Sequence, residues 1–260
     1  MATLSRRACV KAMLSSAAVA AANPAFAAVP QGVTQKAEQS PRAGAAEFWK
    51  RVDAIKARDL VQNAIRAAQA QVKSRRAVNT SKRASVLLGG AAGEEFRKQA
   101  RVSHDARTAA LQKAKQALAE FVKGAGSSGE KRFAEFVNAG RLQEVTKHAR
   151  ESSIQAILHS DASPAEAQTA LKALDERLAK IGGLKSFADL TAYLDGHFDE
   201  LIARKLSDEQ EDQNGLCVLI LILSSIFAAL VVVAVILCIF TLGTDCQGIL
   251  NQLLDQACPS

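Results

Sequence analysis

The stretch Leu216 to Leu242, LCVLILILSSIFAALVVVAVILCIFTL, decides the fold, because its 27 residues include neither a charged residue nor a proline. About 20 apolar residues suffice to cross the hydrocarbon core of a bilayer. A buried helix of a soluble domain usually keeps a polar face, and this stretch has none. Ser224 and Ser225 can donate to backbone carbonyls one turn earlier, so they need no other partner. The stretch therefore predicts a single C-terminal transmembrane helix over residues 215–242.

The residues on either side of this predicted span give conflicting indications of its orientation. Arg204 and Lys205 lie on the N-terminal side, whereas the tail, residues 243–260, contains no lysine or arginine. The positive-inside rule would keep the N-terminal flank in the cytoplasm. The N-terminal residues of the chain indicate export and have more independent features. We therefore expect residues 28–212 outside the cytoplasm and the short tail inside.

Two cysteines lie in the tail. Cys246 and Cys258 can pair with each other if the tail faces an oxidising compartment, and they stay reduced if it faces the cytoplasm. Reduced thiols there are either reactive or acylated groups, or simply small apolar residues near the membrane. None of the five cysteines lies between residues 28 and 212. That part of the chain therefore holds neither a disulfide framework nor a cysteine-ligated metal.

The part of the chain that precedes the span has a helical composition. Residues 28–45 combine prolines and glycines with polar residues and indicate a linker. Over residues 46–212, alanine, leucine and charged residues dominate, and apolar residues recur at helical spacing without any alternation of strand length. These residues are predicted to form an all-α helical bundle, which the glycine-rich stretch 124–129 can divide into two helical subdomains.

Local signals place the helices within this bundle. The spacing of apolar residues predicts four helices, near residues 46–76, 94–123, 130–138 and 140–159. The glycine-containing stretch 78–93 is expected to separate the first two. Ser163, Pro164 and Glu166 form a capping box with proline at the first helical position, which predicts the start of a further helix. Ser186 starts the last one.

The front part of the chain is basic. Residues 28–110 hold 16 lysines and arginines against 7 acidic residues, whereas residues 111–212 hold 14 against 17. The sharpest basic cluster consists of Lys73, Arg75, Arg76, Lys82 and Arg83. It is interpreted either as a solvated helix surface or as a contact surface for an anionic lipid or an anionic envelope polymer. No aromatic residue interleaves the cluster, which argues against a nucleic-acid platform.

The histidines and acidic residues form no motif that is typical of catalysis or metal binding. No histidine has a second histidine four residues away, the spacing that places two zinc ligands on one helix face. Two local groups are interpreted as charged neighbours on solvated helices: Glu144 with His148 and Glu151, and Asp195 with His197 and Asp199. The sequence therefore predicts no catalytic residue, no bound metal and no cofactor.

Residues 1–27 have the three parts of a secretory signal. The basic start consists of Arg6, Arg7 and Lys11. A weakly apolar, alanine-rich stretch follows over residues 12–22, and Ala25 and Ala27 form a small-x-small site. Cleavage is therefore expected before Ala28.

The stretch Ser5-Arg6-Arg7-Ala8-Cys9-Val10-Lys11 resembles the twin-arginine (Tat) export signal of bacteria. In that pattern Ser-Arg-Arg is followed by any residue, two apolar residues and often lysine. Here Cys9 stands where the pattern prefers phenylalanine, and Val10 where it prefers leucine. The resemblance covers only the first 27 residues and implies export in the folded state, without implying any chemistry. An ordinary secretory signal with a fortuitous arginine pair is the alternative.

Together these features predict a single-pass protein of the bacterial cell membrane, with its helical domain on the periplasmic or extracytoplasmic side. The expected function is that of a non-enzymatic binding or structural module at the cell envelope, with the membrane as partner. There are two alternatives. The chain is a precursor of a membrane-active peptide that begins near Asn214, or it is an enzyme whose site is assembled only by the fold.

Overall fold

The computed structural model of the chain describes residues 41–87, 90–158, 160, 162–205, 217–241 and 245–258. These residues form ten helices and no strand, so the predicted all-α class is confirmed. The helices are α1 (Pro41–Ala54), α2 (Arg58–Leu87), α3 (Gly90–Ala125), α4 (Ser128–Asn138), α5 (Arg141–Leu158), α6 (Pro164–Gly182), α7 (Phe187–Ala203), α8 (Cys217–Leu223), α9 (Ile226–Thr241) and α10 (Cys246–Ala257). The predicted export residues Arg6, Arg7 and Lys11, and the cleavage site at Ala25, Ala27 and Ala28, lie outside the described residues.

Helix α9 lies at the centre of this fold. Residues from Pro41 onward form one compact unit, in which α9 packs against all the other described helices except α3, which it touches at one aromatic pair. Its contact with α3 is an edge-to-face pair between Phe121 and Phe240, whose ring centroids are 5.2 Å apart. Every residue from Ile226 to Ile239 is buried. Because α9 is apolar on all sides, a folded chain in water must surround it completely with amphipathic helices.

The capping signals read from the sequence are confirmed. The Ser163 hydroxyl accepts a hydrogen bond from the Glu166 backbone N–H, and the Glu166 side chain accepts one from the Ser163 backbone N–H, at 3.3 and 2.8 Å. Pro164 occupies the first turn of α6, where its missing N–H has no cost. The Ser186 hydroxyl caps α7 by accepting from the Asp189 N–H at 2.9 Å. These local bonds fix where α6 and α7 begin.

Three boundaries in the front half differ from the prediction. Helix α1 begins at Pro41, inside the linker predicted over residues 28–45. The helix predicted over residues 46–76 is interrupted between α1 and α2, where Lys56 has a left-handed φ of +55°. The break predicted over residues 78–93 is instead helical up to Leu87 and again from Gly90. The spacing of apolar residues failed there because the buried face of the helix is largely polar and includes Ser74 and Asn79.

The glycine-rich stretch 124–129 is a turn between α3 and α4. Gly126 has a left-handed φ of +52°, which glycine adopts without steric cost. Phe121 before the turn and Phe133 after it belong to the same hydrophobic core. The helices on both sides of the turn thus share one interior.

Candidate functional site

The apolar segment, defined here as residues 217–241, is not one straight helix. It is divided at Ser224 and Ser225 into α8 and α9, which are bent by 93° relative to each other. Ser225 has a left-handed φ of +73°, a conformation that ends an α-helix. The Ser224 hydroxyl donates to the carbonyl of Ile220 at 2.6 Å, a bond of the kind that bends helices. The structure therefore differs from the continuous helix predicted over residues 215–242.

Because of this break, the predicted membrane span does not correspond to one helix of the structure. In the described part of the chain, no helix taken alone has both the length and the apolar character needed to cross a bilayer. The bent pair of α8 and α9 has them when the two helices are counted together. In the folded chain this pair lies in the protein interior, with α9 at the centre of the bundle.

Three basic side chains, which we call the polar clasp, bind the backbone where the segment bends. Arg177 donates to the Ile222 carbonyl at 2.9 Å, and Arg204 donates to the Ser224 carbonyl at 3.2 Å. His197 Nε2 lies 2.7 Å from the Ser225 carbonyl oxygen, so this nitrogen carries the proton and donates. The last carbonyls of a helix have no partner within it, and a positive charge there is favourable. The polar clasp thus adds side-chain donors at the bend, where the Ile222 and Ser225 carbonyls also accept from the backbone N–H groups of Ser225 and Ala228 at 3.3 and 3.1 Å.

The members of the polar clasp are themselves held in place by their neighbours. Arg204 also pairs with Glu200 at 2.8 Å, and its own carbonyl accepts from the completely buried Arg107 at 2.9 Å. Tyr193 stacks on the His197 ring with 5.8 Å between the ring centroids. These contacts connect the bend to α3, α6 and α7.

Burial controls the protonation of His197. The side chain is 8% exposed, and burial lowers its pKa below the ordinary value of 6.5. The Ser225 carbonyl and Glu200 act to raise this pKa, and the charges of Arg177 and Arg204 act with burial to lower it. Burial acts to raise the pKa of Glu200, but the hydrogen bond and the charge of Arg204 outweigh it. His197 is therefore held neutral between two cations and one carboxylate.

The hydrogen bonds of the polar clasp hold the backbone of the bend. All three side chains donate to backbone carbonyls, and no nucleophile is hydrogen-bonded to a base among them. Among the residues that the structure describes, no three histidine, cysteine or acidic side chains are grouped to hold a metal ion. What this arrangement does is to fix the bent shape of the apolar segment.

The two histidine groups singled out in the sequence have other partners. His148 Nε2 lies 3.3 Å from the Asn251 amide oxygen and 3.3 Å from the Ser152 hydroxyl. Asp195 and Asp199 both pair with Lys115. The interpretation of His197 as part of a solvated surface is wrong, because this side chain is buried while Asp195 is half-buried and Asp199 is exposed.

Two disulfides hold the apolar segment against α10. Cys246 and Cys258 do not pair with each other: Cys258 is bonded to Cys217, and Cys246 is bonded to Cys238. The Cα atoms are 5.6 Å apart in each pair. Both ends of α10 are thus attached to the segment, and we call the resulting covalent loop the disulfide ring.

Part of the helical hairpin formed by α2 and α3 extends beyond the core. The core residues of α2 end at Val72 and those of α3 begin at Leu111. We call the hairpin beyond them, residues 73–87 and 90–106, the arm. At about 1.5 Å per residue its α2 side is about 22 Å long. Residues 73–106 include eight lysines and arginines against three acidic residues.

The predicted basic cluster lies on this arm. Lys73, Arg76 and Arg83 are exposed and Lys82 is half-buried, whereas Arg75 is only 5% exposed and does not belong to the surface. At the end of the arm, Val86 and Leu87 are 85% and 80% exposed. Two large aliphatic side chains are thus exposed to solvent next to the basic residues Lys82 and Arg83.

The polar clasp and the apolar end of the arm were not predicted from the sequence. Arg177, His197 and Arg204 meet a backbone that lies 20 to 45 residues further along the chain, and only the fold brings them there. The serine pair within an otherwise apolar run was the one local signal of a bend.

Comparison of the chain with known protein families, with curated proteins and with solved structures finds no match. Its function is therefore inferred from its own residues.

Proposed function

We propose that this protein is an exported, non-enzymatic module of the bacterial cell envelope that binds anionic membranes and inserts its apolar segment as a single span. The observation that carries the proposal is an apolar segment of membrane-spanning length that is kept bent inside a shell of amphipathic helices. The arm supplies the surface for first contact with the lipid.

The length of the segment favours insertion in a straight form. Residues 217–241 would measure about 37 Å as one straight helix, against about 30 Å for the hydrocarbon core of a bilayer. Helix α9 alone, at about 24 Å, is too short. A span therefore requires α8 and α9 to become continuous at Ser224 and Ser225.

Straightening would also satisfy the carbonyls that the polar clasp binds. In a continuous helix the Ile222 carbonyl accepts from the N–H of Ile226, and the Ser224 carbonyl accepts from that of Ala228. A bilayer demands such internal pairing, because no water reaches the backbone there. The bonds given up with Arg177 and Arg204 are thus replaced within the segment, and both arginines stay outside the lipid.

The arm favours an anionic lipid surface as the partner. Its excess of positive charge attracts lipid head groups over about a Debye length, and each lysine or arginine near the surface contributes about 1 kcal/mol. Val86 and Leu87 can then enter the boundary between head groups and acyl chains. An anionic polymer would be attracted by the same charges but would offer no apolar phase to these two side chains.

The disulfides support an extracytoplasmic location. Disulfides persist in oxidising compartments and are rare in the cytoplasm. The four cysteines in the described residues are all paired. This agrees with the export predicted from Arg6, Arg7 and Lys11.

Binding through the arm is tested by flotation of the full chain with phosphatidylglycerol vesicles. Replacing Val86 and Leu87 with aspartate should lower the bound fraction at least about tenfold, because burial of each aliphatic side chain is worth about 1.5–3 kcal/mol. The matched control is Leu158→Asp, which changes an exposed leucine (68%) at the end of α5 and should leave binding unchanged.

Salt and lipid charge give the second readout of the same experiment. Binding should weaken with added salt and should be weak on uncharged phosphatidylcholine vesicles. Equal binding of the arm variant and the wild type, or binding that ignores lipid charge, would overturn the arm as the membrane-contacting surface.

One observation favours the peptide-precursor alternative as a second candidate. Both disulfides lie within residues 217–258, so a cut near Asn214 would release the apolar segment with its ring intact. The intact mass of the chain recovered from the envelope decides this point. A fragment that begins near Asn214 would favour the precursor, and a chain that retains the helical domain would exclude it.

A further inference from the structure

We propose that the disulfide ring locks the apolar segment in its bent form, and that reduction of either disulfide by a dithiol releases the segment for insertion. This inference rests on the proposed function, because it assigns a control to the same insertion step. It follows from the path of the ring, the length of α10 and the exposure of the cysteines.

The ring is closed through both helices of the segment. From Cys217 it follows the apolar segment to Cys238, crosses to Cys246, follows α10 to Cys258 and returns to Cys217. The bend at Ser224 and Ser225 lies between Cys217 and Cys238, inside this closed path. Any change in the bend must therefore be accommodated by α10 and the two crossings.

The dimensions of the ring oppose a straight segment. A straight helix from Cys217 to Cys238 would span about 32 Å. On the other side of the ring, α10 covers about 17 Å from Cys246 to Ala257, and the non-helical step to Cys258 adds at most about 4 Å. Both 5.6 Å crossings would therefore have to lie in line with α10 to close the ring around a straight segment. A disulfide between two packed helices instead runs across them, because their axes lie about 8–10 Å apart. With both disulfides closed, the segment therefore cannot straighten while α10 stays helical and packed against it.

Unfolding of α10 is not an easy way around this limit. Leu250 and Leu253 on α10 are completely buried, and Ile249 is 5% exposed. The first turn is capped by Asp245, whose carboxylate accepts from the Gly248 N–H at 2.8 Å. Extending α10 would expose these aliphatic side chains and break its backbone hydrogen bonds.

Opening one bond is enough to remove the restriction. A dithiol attacks one sulfur through its thiolate and forms a mixed disulfide, and its second thiol then closes on the first. Each step releases one cysteine of the pair as a thiol, so one dithiol delivers two electrons and two protons and leaves as a cyclic disulfide. Cys217 and Cys258 are both partly exposed, and Cys246 is the partly exposed member of the other pair. Both bonds are therefore accessible to a small dithiol.

The test compares oxidised and reduced full chain on phosphatidylglycerol vesicles, with dithiothreitol as the dithiol. Cys9 is changed to serine so that only the ring responds. The measured quantity is the fraction of bound protein that resists extraction with alkaline carbonate, which removes peripheral proteins and leaves inserted ones. Reduction should raise this fraction about tenfold, and the double variants C217S/C258S and C238S/C246S should show the raised value without dithiothreitol.

A lengthened ring separates the lock from a general loosening of the fold. Insertion of eight glycine and serine residues between Ala257 and Cys258 adds up to about 26 Å to the short side of the ring. Mass spectrometry verifies that both disulfides are closed. This variant should resist carbonate extraction without any reductant, because its ring no longer opposes a straight segment.

The outcomes distinguish the lock from the proposed function. If oxidised and reduced protein resist extraction equally well, insertion stands and the lock is overturned. If no form resists extraction although all of them float with the vesicles, the lock and the proposed insertion both fail, and binding through the arm stands. If circular dichroism finds the reduced chain unfolded, the lengthened ring decides: its insertion supports the lock, and its failure to insert overturns it.

Discussion

The bend in the apolar segment depends, at the scale of single residues, on donors that the sequence places on other helices. His197 was predicted to be a surface residue because its neighbours Asp195 and Asp199 are charged, and of those two Asp199 is exposed and Asp195 is half-buried. A helix turns by about 100° per residue, so residues two positions apart lie on different faces. A side chain can therefore point into the protein even though charged residues flank it in the sequence. The partner of that side chain, the Ser225 carbonyl, could not be identified from local spacing.

The lowered pKa of His197 gives a prediction for the pH dependence of stability. The unfolded chain binds a proton near pH 6.5, whereas the folded chain resists protonation until lower pH. The free energy of unfolding should therefore fall as the pH drops below about 6.5.

The variant His197→Gln keeps an N–H donor for the Ser225 carbonyl and should lose this part of the pH dependence. Urea unfolding at about pH 7.5 and about pH 5.5 measures the difference for both proteins. The control His148→Gln removes a partly exposed histidine and should retain the decrease. An unchanged pH dependence in His197→Gln would show that His197 does not cause it.

The elements of the fold were predictable wherever a helix carries one apolar face or a capping residue. Helices α4 to α7 follow their predicted positions closely, since Ser163 and Ser186 provide caps and Gly126 ends the preceding helix pair. The α2 side of the arm beyond residue 76 was not predicted, because its buried residues are largely polar, whereas most of the α3 side lies in the helix predicted over residues 94–123. Contacts between helices that are distant in sequence could not be predicted either. For example, Glu130 of α4 accepts hydrogen bonds from the backbone N–H groups of Phe187 and Ala188 at the start of α7.

The close approach of α4 to α7 gives a prediction at the scale of elements. A Cβ atom on Gly129 would overlap the Phe187 ring, which cannot move freely because it packs against Phe240 with 5.6 Å between the ring centroids. Gly129→Ala should lower the free energy of unfolding by about 1–3 kcal/mol.

The matched control is Gly124→Ala in α3. A Cβ atom there meets nothing within 4 Å, and alanine is favoured over glycine in a helix by about 1 kcal/mol. The two variants should therefore shift the urea midpoint in opposite directions. A Gly129→Ala protein as stable as the wild type would exclude tight packing of α4 on α7.

For the whole molecule, composition alone was ambiguous. A membrane span and the central helix of a bundle both require apolar side chains on every face. The composition of residues 217–241 therefore fits either structure. The sequence predicted a helical domain followed by an anchor, whereas the structure places α9 in the core of one unit with the preceding helices. The serine pair and the two disulfides are what distinguish this segment from an ordinary core helix.

The most direct test of the central proposal is a distance between spin labels at Val218 and Thr241, the two partly exposed ends of the apolar segment. In water the 93° bend should hold the two backbone positions about 26 Å apart. In reduced protein bound to phosphatidylglycerol vesicles, a straight span should extend this distance to about 35 Å. A distance that stays near the value in water, with the protein bound and reduced, would contradict membrane insertion of the segment.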